Sequence, residues 1–444
     1  MKARDAAVAA LLRIEEQGGY SNVVLDELLE HTDLSDVDRA FTARLLYGVT
    51  ERRLTLDYIL NKVSSTPVKQ MDARVREILR VGAYQLVFMD KIPVFAAIHE
   101  AVGQTRSFGC GRLSGFVNGV LRQTQRQWDR LLDELPSTDK GLEIRYSVPR
   151  VWIRYWRETY GESTMLGLLH SINDAPPLYV RVNTCVTSMS AFCQALDEAG
   201  ITYSVINGLP NALCVQDAGG LHSLPKEMSK HFYFQDLASQ WCCFSLDAQS
   251  GEHIADVCAA PGGKTMTVAQ YMGDSGSVTA GDLHEHKCRT MTERVKDYGF
   301  SSISVRRHDA SQAPADTELG QYDRVICDAP CSGMGVIRRK PEIRYKRPED
   351  FAGLPALQLE ILQQAAKMVK VGGVLQYSTC TLRMEENEAV AAAFLAQNPN
   401  FEPRELPLPD CFSLSGLPST HQITLLPHIH GSDGFYIAGF IKKA

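Results

Sequence analysis

Residues 253–265 read His253-Ile-Ala-Asp-Val-Cys-Ala-Ala-Pro-Gly-Gly-Lys-Thr265. A strand candidate, His253–Val257, runs straight into a glycine-rich loop and then into a helix. In an open α/β sheet, ligands bind beyond the carboxyl ends of the strands. Gly262 and Gly263 carry no side chain to hold a ligand off the backbone. The helix start adds free amide hydrogens and the positive end of a dipole. The spacing is not that of a phosphate-binding P-loop. Cys258 stands where the first glycine of G-x-x-x-x-G-K-[ST] belongs, which counts against an NTPase.

Working downstream, strand candidates recur at Ser277–Asp282, Ile303–Asp309, Tyr322–Pro330 and Gly373–Thr381, separated by helical stretches. Such alternation predicts a mostly parallel sheet covered on both faces, a Rossmann-like domain over 241–444. Asp282 ends the second strand about 20 residues after the loop, where an acid commonly takes ribose hydroxyls. Asp309 ends the third strand and is expected to face an adenine edge. Asp328 ends the fourth. Two cysteines close the fourth and fifth strands, in Asp328-Ala-Pro-Cys-Ser-Gly-Met-Gly335 and Tyr377-Ser-Thr-Cys-Thr381. Both are expected to open toward the crevice of the 258–265 loop. Cys327 points to the opposite face of its strand and reads as core.

Upstream, residues 1–140 read as an all-α domain. Apolar residues recur at three- and four-residue spacing, as in Val24, Leu25, Leu28, Leu29 and in Ile78, Leu79, Val81. Gly18-Gly19 and Ser64-Ser65-Thr66-Pro67 punctuate the helices, with Asp33 and Ser35 as caps. Residues 141–240 are expected to form a connector helix and a small α+β module. That module holds the alternating run Leu178-Tyr-Val-Arg-Val-Asn183.

The chain of 444 residues has room for two or three domains. It has no apolar run near the roughly 20 residues that span a bilayer, so a cytoplasmic protein without a membrane partner is expected. Its 12 cysteines show no paired C-x-x-C spacing, and no metal site is expected. The net charge of -6 is unpromising for a nucleic-acid binder, yet it is unevenly spread. Residues 39–130 hold 15 basic and 7 acidic side chains. A second basic cluster comprises Arg338, Arg339, Lys340, Arg344, Lys346 and Arg347 around Glu342. Local patches decide phosphate attraction more than the total does. Arg338, Arg339 and Lys340, just after the Pro-Cys-Ser-Gly loop, are therefore candidate RNA contacts, and Arg181 is another because its strand leads into the module facing the site.

Two resemblances follow from these stretches. Arg39-Ala-Phe-Thr-Ala-Arg-Leu-Leu-Tyr-Gly-Val, Ile98-His-Glu-Ala-Val and Gly115-Phe-Val-Asn-Gly-Val-Leu-Arg resemble the RNA-binding domain of the antitermination factor NusB. Pro-Leu-Tyr-Val-Arg-Val-Asn, Phe-Gln-Asp-Leu-Ala-Ser-Gln, the Cys258–Thr265 loop, Asp-Ala-Pro-Cys-Ser-Gly and Ser-Thr-Cys, in this order over 175–444, resemble the RNA 5-methylcytosine methyltransferase family. The resemblance implies S-adenosylmethionine as cofactor and small-subunit (16S) ribosomal RNA as substrate. It implies Cys380 as nucleophile and Cys331 as the residue of product release. Asp328 and Lys264 are implied at the catalytic centre. Cys258, Ala259, Ala260, Pro261, Gly262, Gly263, Lys264, Asp282, Asp309 and Asp328 are implied as cofactor contacts. Thr381 stands where many relatives have serine, and the hydroxyl remains.

The implied chemistry explains the cysteine. Carbon 5 of cytosine is too poor a nucleophile to attack a sulfonium methyl directly. A thiolate added to carbon 6 makes an enamine that pushes electron density onto carbon 5, turning one hard step into two easier ones. A DNA cytosine methyltransferase would use the same chemistry from the Pro-Cys position. Only 48 residues separate Cys331 from Cys380, which leaves little room for the target-recognition region of such an enzyme. A purely RNA-binding antitermination protein would not need the loop and both cysteines. The chain is expected to act as a monomer.

Overall fold

The computed structural model describes residues 1–17, 21–216, 218–407 and 421–444. The expected Gly18-Gly19 turn lies outside them. The chain divides into two compact units, Met1–Asp174 with Ile337–Arg347, and Ala175–Val336 with Pro348–Ala444.

The first unit is helical. Leu45, Leu46, Leu56, Leu60, Ile78, Leu79 and Leu121 close its core, drawn from the helices Asp36–Glu51, Arg53–Val63, Ala73–Phe88 and Ser114–Asp133. Ser35 caps the first of these by accepting from Asp38 N, as its position after a turn suggests. The boundary differs from the expected one. The helices Asp139–Tyr146 and Arg150–Ser171 belong to this unit. Thr55 Oγ1 donates to Ile144 O at 2.5 Å, Ser147 Oγ accepts from Leu54 N at 2.9 Å, and Asn173 Nδ2 donates to Tyr146 O at 2.9 Å. The first two bonds tie 139–174 to the helix Arg53–Val63, and the third ties its two ends together. Residues 337–347 complete the unit. Glu342 accepts from Ser21 N and Oγ, Tyr345 OH donates to Thr50 O, and Lys346 O accepts from Trp152 Nε1.

The second unit holds two sheets. Strands β1 (Leu178–Val182), β2 (Tyr203–Val205), β3 (Ala212–Val215) and β4 (Phe232–Phe234) form an antiparallel sheet in the order β2-β3-β1-β4. Val180, Val182 and Leu213 bury one face under Phe192 and Leu196 of the helix Met189–Glu198.

The larger sheet contains β5 (His253–Asp256), β6 (Ser277–Asp282), β7 (Ile303–Arg307), β8 (Tyr322–Asp328), β9 (Val369–Thr379), β10 (Phe401–Pro403), β11 (Gln422–Leu425) and β12 (Phe435–Lys442). Its order is β10-β12-β9-β8-β5-β6-β7, with β11 also on β12. The five strands read from the sequence, β5 to β9, run parallel. Strand β12 is antiparallel to β9. Strand β5 has β6 on one side and β8 on the other, so the order reverses there. A crevice opens beyond the strand ends at such a switch point. Among the described residues, no helix is long and apolar enough to cross a membrane.

Candidate active site

Strands β8 and β9 are parallel neighbours with Asp328 opposite Ser378. The loops that leave them therefore emerge side by side, and Ala329 N donates to Ser378 O at 3.0 Å. This register brings Cys331 Sγ within 3.2 Å of Cys380 Sγ. A buried polar network fixes both loops. Glu386, fully buried, accepts from Ser332 N at 2.8 Å, from Gln358 Nε2 at 3.0 Å and from Arg383 Nη1 at 3.2 Å. Ser332 and Thr381 share a hydroxyl contact at 2.7 Å. Asn387 accepts from Thr379 Oγ1 and donates to Thr381 O.

Gly335 is required by close approach. Its N donates to Cys380 O at 3.0 Å, and its own carbonyl accepts from Gly434 N at 2.9 Å. A Cβ there would lie 1.9 Å from Gly434 O and 2.9 Å from Cys380 O. The contact with the Cys380 sulfur, reinforced by burial, pushes the Cys331 thiol far up. Cys331 therefore holds its proton.

Lys264 reaches in from the start of the helix Gly263–Tyr271, its Nζ 2.7 Å from Asp328 Oδ2. Burial alone would lower its pKa, but the charge and hydrogen bond of Asp328 together with Cys242 and Cys243 raise it. Ser378 Oγ donates to Asp328 Oδ1 at 2.8 Å. One carboxylate is thus oriented by an ammonium and a hydroxyl, as fixed donors orient catalytic groups.

A cleft runs from this carboxylate along the ends of β5, β6 and β7. Cys258, Ala260, Asp282, His284, Asp309 and Asp328 are among its lining residues. Asp282 Oδ1 accepts from His284 N at 3.0 Å. Asp309 Oδ1 accepts from Ser311 Oγ and N, and these bonds hold its carboxyl below the usual range. Burial, with four nearby carboxylates, pushes the Cys258 thiol up, which leaves its backbone as the useful part. Ala259, Pro261, Gly262, Gly263 and Lys264 are not in the lining of this cleft. Ala259 N donates to Gly281 O at 2.8 Å and pins the loop to β6. Gly262 has φ +92°, and a Cβ there would meet Met291 Cγ at 2.9 Å.

Two expected RNA contacts need correction. Arg181 is fully buried. Its Nε donates to Gln270 Oε1 at 2.7 Å, its Nη1 to Pro210 O at 3.1 Å, and its guanidinium lies 4.6 Å from the Tyr271 ring centroid. It binds the small sheet to the helix Gly263–Tyr271 and presents nothing to a phosphate. Both faces of β1 are covered, which the alternation of Leu178–Val182 did not reveal. Arg338 is only 8% exposed, whereas Arg339 and Lys340 are exposed. Arg344, from the same cluster, is fully buried and donates to Glu51 O, Asn173 Oδ1 and the carbonyls of Ile172 and Ile337.

Sequence reasoning gave no role to Glu386, Asn387, Ser332, Gly335 or Asp256. Asp256 is buried, accepts from Thr265 Oγ1 at 2.7 Å, and is pushed up to about 7 by burial. Glu385-Glu386-Asn387, beginning five residues after Cys380, was the available signal for two of them.

Comparison with known proteins finds three family matches along the chain. Residues 243–441 match the model of the family described as 16S rRNA methyltransferase RsmB/F. Residues 1–126 match the NusB family, and 148–222 match the ferredoxin-like domain of RsmF/B-like methyltransferases. The chain is 36% identical to the probable ribosomal RNA small subunit methyltransferase B of Bacillus subtilis, covering 99% of this chain and 98% of that one. It is 34% identical to the protein of the same description from Synechocystis, over 100% of both. The crystal structure of PH0851 shares its fold, with a TM-score of 0.81 at 23% identity over 100% of this chain and 99% of that one.

Proposed function

The chain belongs to the 16S rRNA methyltransferase RsmB/F family, and on that premise we propose that it methylates carbon 5 of a cytosine in small-subunit ribosomal RNA, using S-adenosylmethionine and a covalent bond from Cys380 to the base. The observation that carries this reading is the 3.2 Å approach of Cys380 and Cys331 beside the Lys264–Asp328 pair.

The cleft suits the cofactor. Asp282 ends β6 where a carboxylate accepts from ribose hydroxyls. Asp309 and Asp328 add negative charge suited to a cationic sulfonium. When bound, the cofactor supplies an electrophilic methyl group. Cys380, as thiolate, adds to carbon 6 of the cytosine, and carbon 5 becomes the nucleophile. As thiolate addition builds negative charge over the ring, the Lys264 ammonium, held by Asp328, donates to ring nitrogen 3, and the Asp328 carboxylate, oriented by Ser378, accepts from the exocyclic amine. After methylation, a base removes the proton from carbon 5 and the bond from carbon 6 to Cys380 breaks. Cys331 then donates its retained proton to the departing Cys380 sulfur.

The test is methyl transfer from labelled S-adenosylmethionine to small-subunit ribosomal RNA lacking the modification. Label is expected at a cytosine with the wild-type chain and absent with Cys380→Ala. Cys331→Ala is expected to accumulate a protein–RNA adduct. Appreciable turnover by Cys380→Ala would sink the nucleophile assignment, and label entering only DNA would sink the substrate.

A further inference from the structure

Apart from the catalytic cleft, the second unit has a cavity of about 400 Å³ between β4 and the helix Glu285–Asp297. That volume falls in the range of about 300–1,000 Å³ typical of small-ligand sites. Phe234, Tyr298, Lys226 and Arg294 line it, and its lining includes no carboxylate. Phe234 is 50% exposed, uncommon for so large an apolar ring. Phe232 braces it edge-on, with centroids 5.7 Å apart at 85°. The Arg294 guanidinium stands 5.6 Å from the Tyr298 ring centroid. Lys226 is exposed, with no ion-pair partner among the described residues.

The cavity is coupled to the catalytic frame on two sides. Arg294 Nη1 donates to Pro261 O in the cofactor loop. Two residues beyond Phe234, Asp236 Oδ1 accepts from Asp433 N, and the adjacent Gly434 N donates to the Gly335 carbonyl. Gly335 in turn holds Cys380 O.

We infer that this cavity holds one unpaired nucleotide of the RNA substrate next to the target cytosine, its base against Phe234 and its phosphate near Lys226 and Arg294. The inference rests on the proposed function and adds a substrate subsite to it. Aromatic faces with nearby cations are how proteins hold single-stranded RNA. An enzyme that reacts at a base must extract that base from its stack, and a bound neighbour stabilises the extracted arrangement. A basic peptide would gain nothing from a lining with two cations and no carboxylate, and an acidic side chain would leave the Phe234 face unused.

The experiment uses the full chain, unmethylated small-subunit ribosomal RNA and a short single-stranded transcript of the target region. RNA affinity, cofactor affinity and single-turnover transfer are measured for wild type, Phe234→Ala, Phe234→Tyr and Lys226→Ala. Phe234→Ala is expected to weaken binding of both RNAs about tenfold or more, with cofactor affinity unchanged. Phe234→Tyr restores binding, because stacking survives. Lys226→Ala lowers the salt dependence by about one phosphate contact. Unchanged RNA affinity in Phe234→Ala overturns the inference. So does a Phe234→Ala defect that appears only when protein-containing small-subunit particles are added as a third substrate, which would mark a protein occupant. If wild type binds RNA but never methylates cytosine, the proposed function fails while the Phe234 dependence of binding still decides the subsite.

Discussion

Gly335→Ala tests whether the position of Cys380 limits the reaction. The φ of Gly335 is not in the left-handed region, so alanine meets no backbone strain there. The effect is steric. The new Cβ would begin 1.9 Å from Gly434 O and 2.9 Å from Cys380 O, against an ordinary contact of 3.4 Å. Relief requires a displacement of about 1.5 Å from the Gly434 carbonyl and about 0.5 Å from the Cys380 carbonyl, in a core that is close-packed. A misplacement of about 1 Å at a reacting group costs on the order of 100-fold in rate, and overpacking costs about 1–3 kcal/mol in stability. Single-turnover transfer to saturating unmethylated RNA is therefore expected to fall about 100-fold. Cofactor affinity by equilibrium dialysis stays at the wild-type value, because Asp282 and Asp309 lie on other strands. Gly353→Ala serves as control, since its Cβ would meet nothing within 4 Å. Transfer by Gly335→Ala within about threefold of wild type, a loss far below that expected of a displaced reacting group, would refute the reasoning.

Lys264→Met removes the partner of a largely buried carboxylate and is expected to destabilise the fold by about 3 kcal/mol in urea unfolding. Asp328→Asn in the same chain should recover part of that loss, and a cost below about 0.5 kcal/mol would show that the pair is solvated. Asp256 carries a folded-state pKa of about 7 against an ordinary 3.8, so the fold binds its proton more tightly than the unfolded chain does. Its contribution is complete below the unfolded value and is lost as pH rises to 7, a decline of about 4 kcal/mol. Asp256→Asn should flatten stability between pH 4 and 7, and identical slopes in the two proteins would contradict the assignment.

The legible parts of this molecule are those whose placement depends on strand position alone. Asp282 and Asp328 close parallel strands, and Asp309 and Cys380 lie one or two residues beyond the ends of theirs. Their neighbourhood follows once the sheet is known to be parallel, because each strand then delivers its last residues to the same edge. Cys327 was readable as core for the same reason, one residue before Asp328 on a strand whose side chains alternate. Glu386 was not readable, because its role comes from three donors on three segments, Ser332, Gln358 and Arg383. The antiparallel strands β10 to β12 were also missed; β10 with β12 and β12 with β9 pair through residues distant in sequence.

Arginine sets the sharper limit. In sequence, Arg344 has the same standing as Arg339, since a basic run near a motif fits a phosphate-binding face equally well throughout, and nothing local marks Arg181 as buried. Burial separates them, and burial of a guanidinium is tolerated only where enough acceptors converge. Arg344 has carbonyl oxygens from Glu51, Ile172 and Ile337 together with Asn173 Oδ1, from parts of the chain about 170–290 residues away except for Ile337. Such convergence leaves no periodicity or local composition. The positive charge of 338–347 must accordingly be divided. Arg344 holds the first unit together, whereas Arg339, Lys340, Lys346 and Arg347 remain at the surface, where their charge is open to solvent.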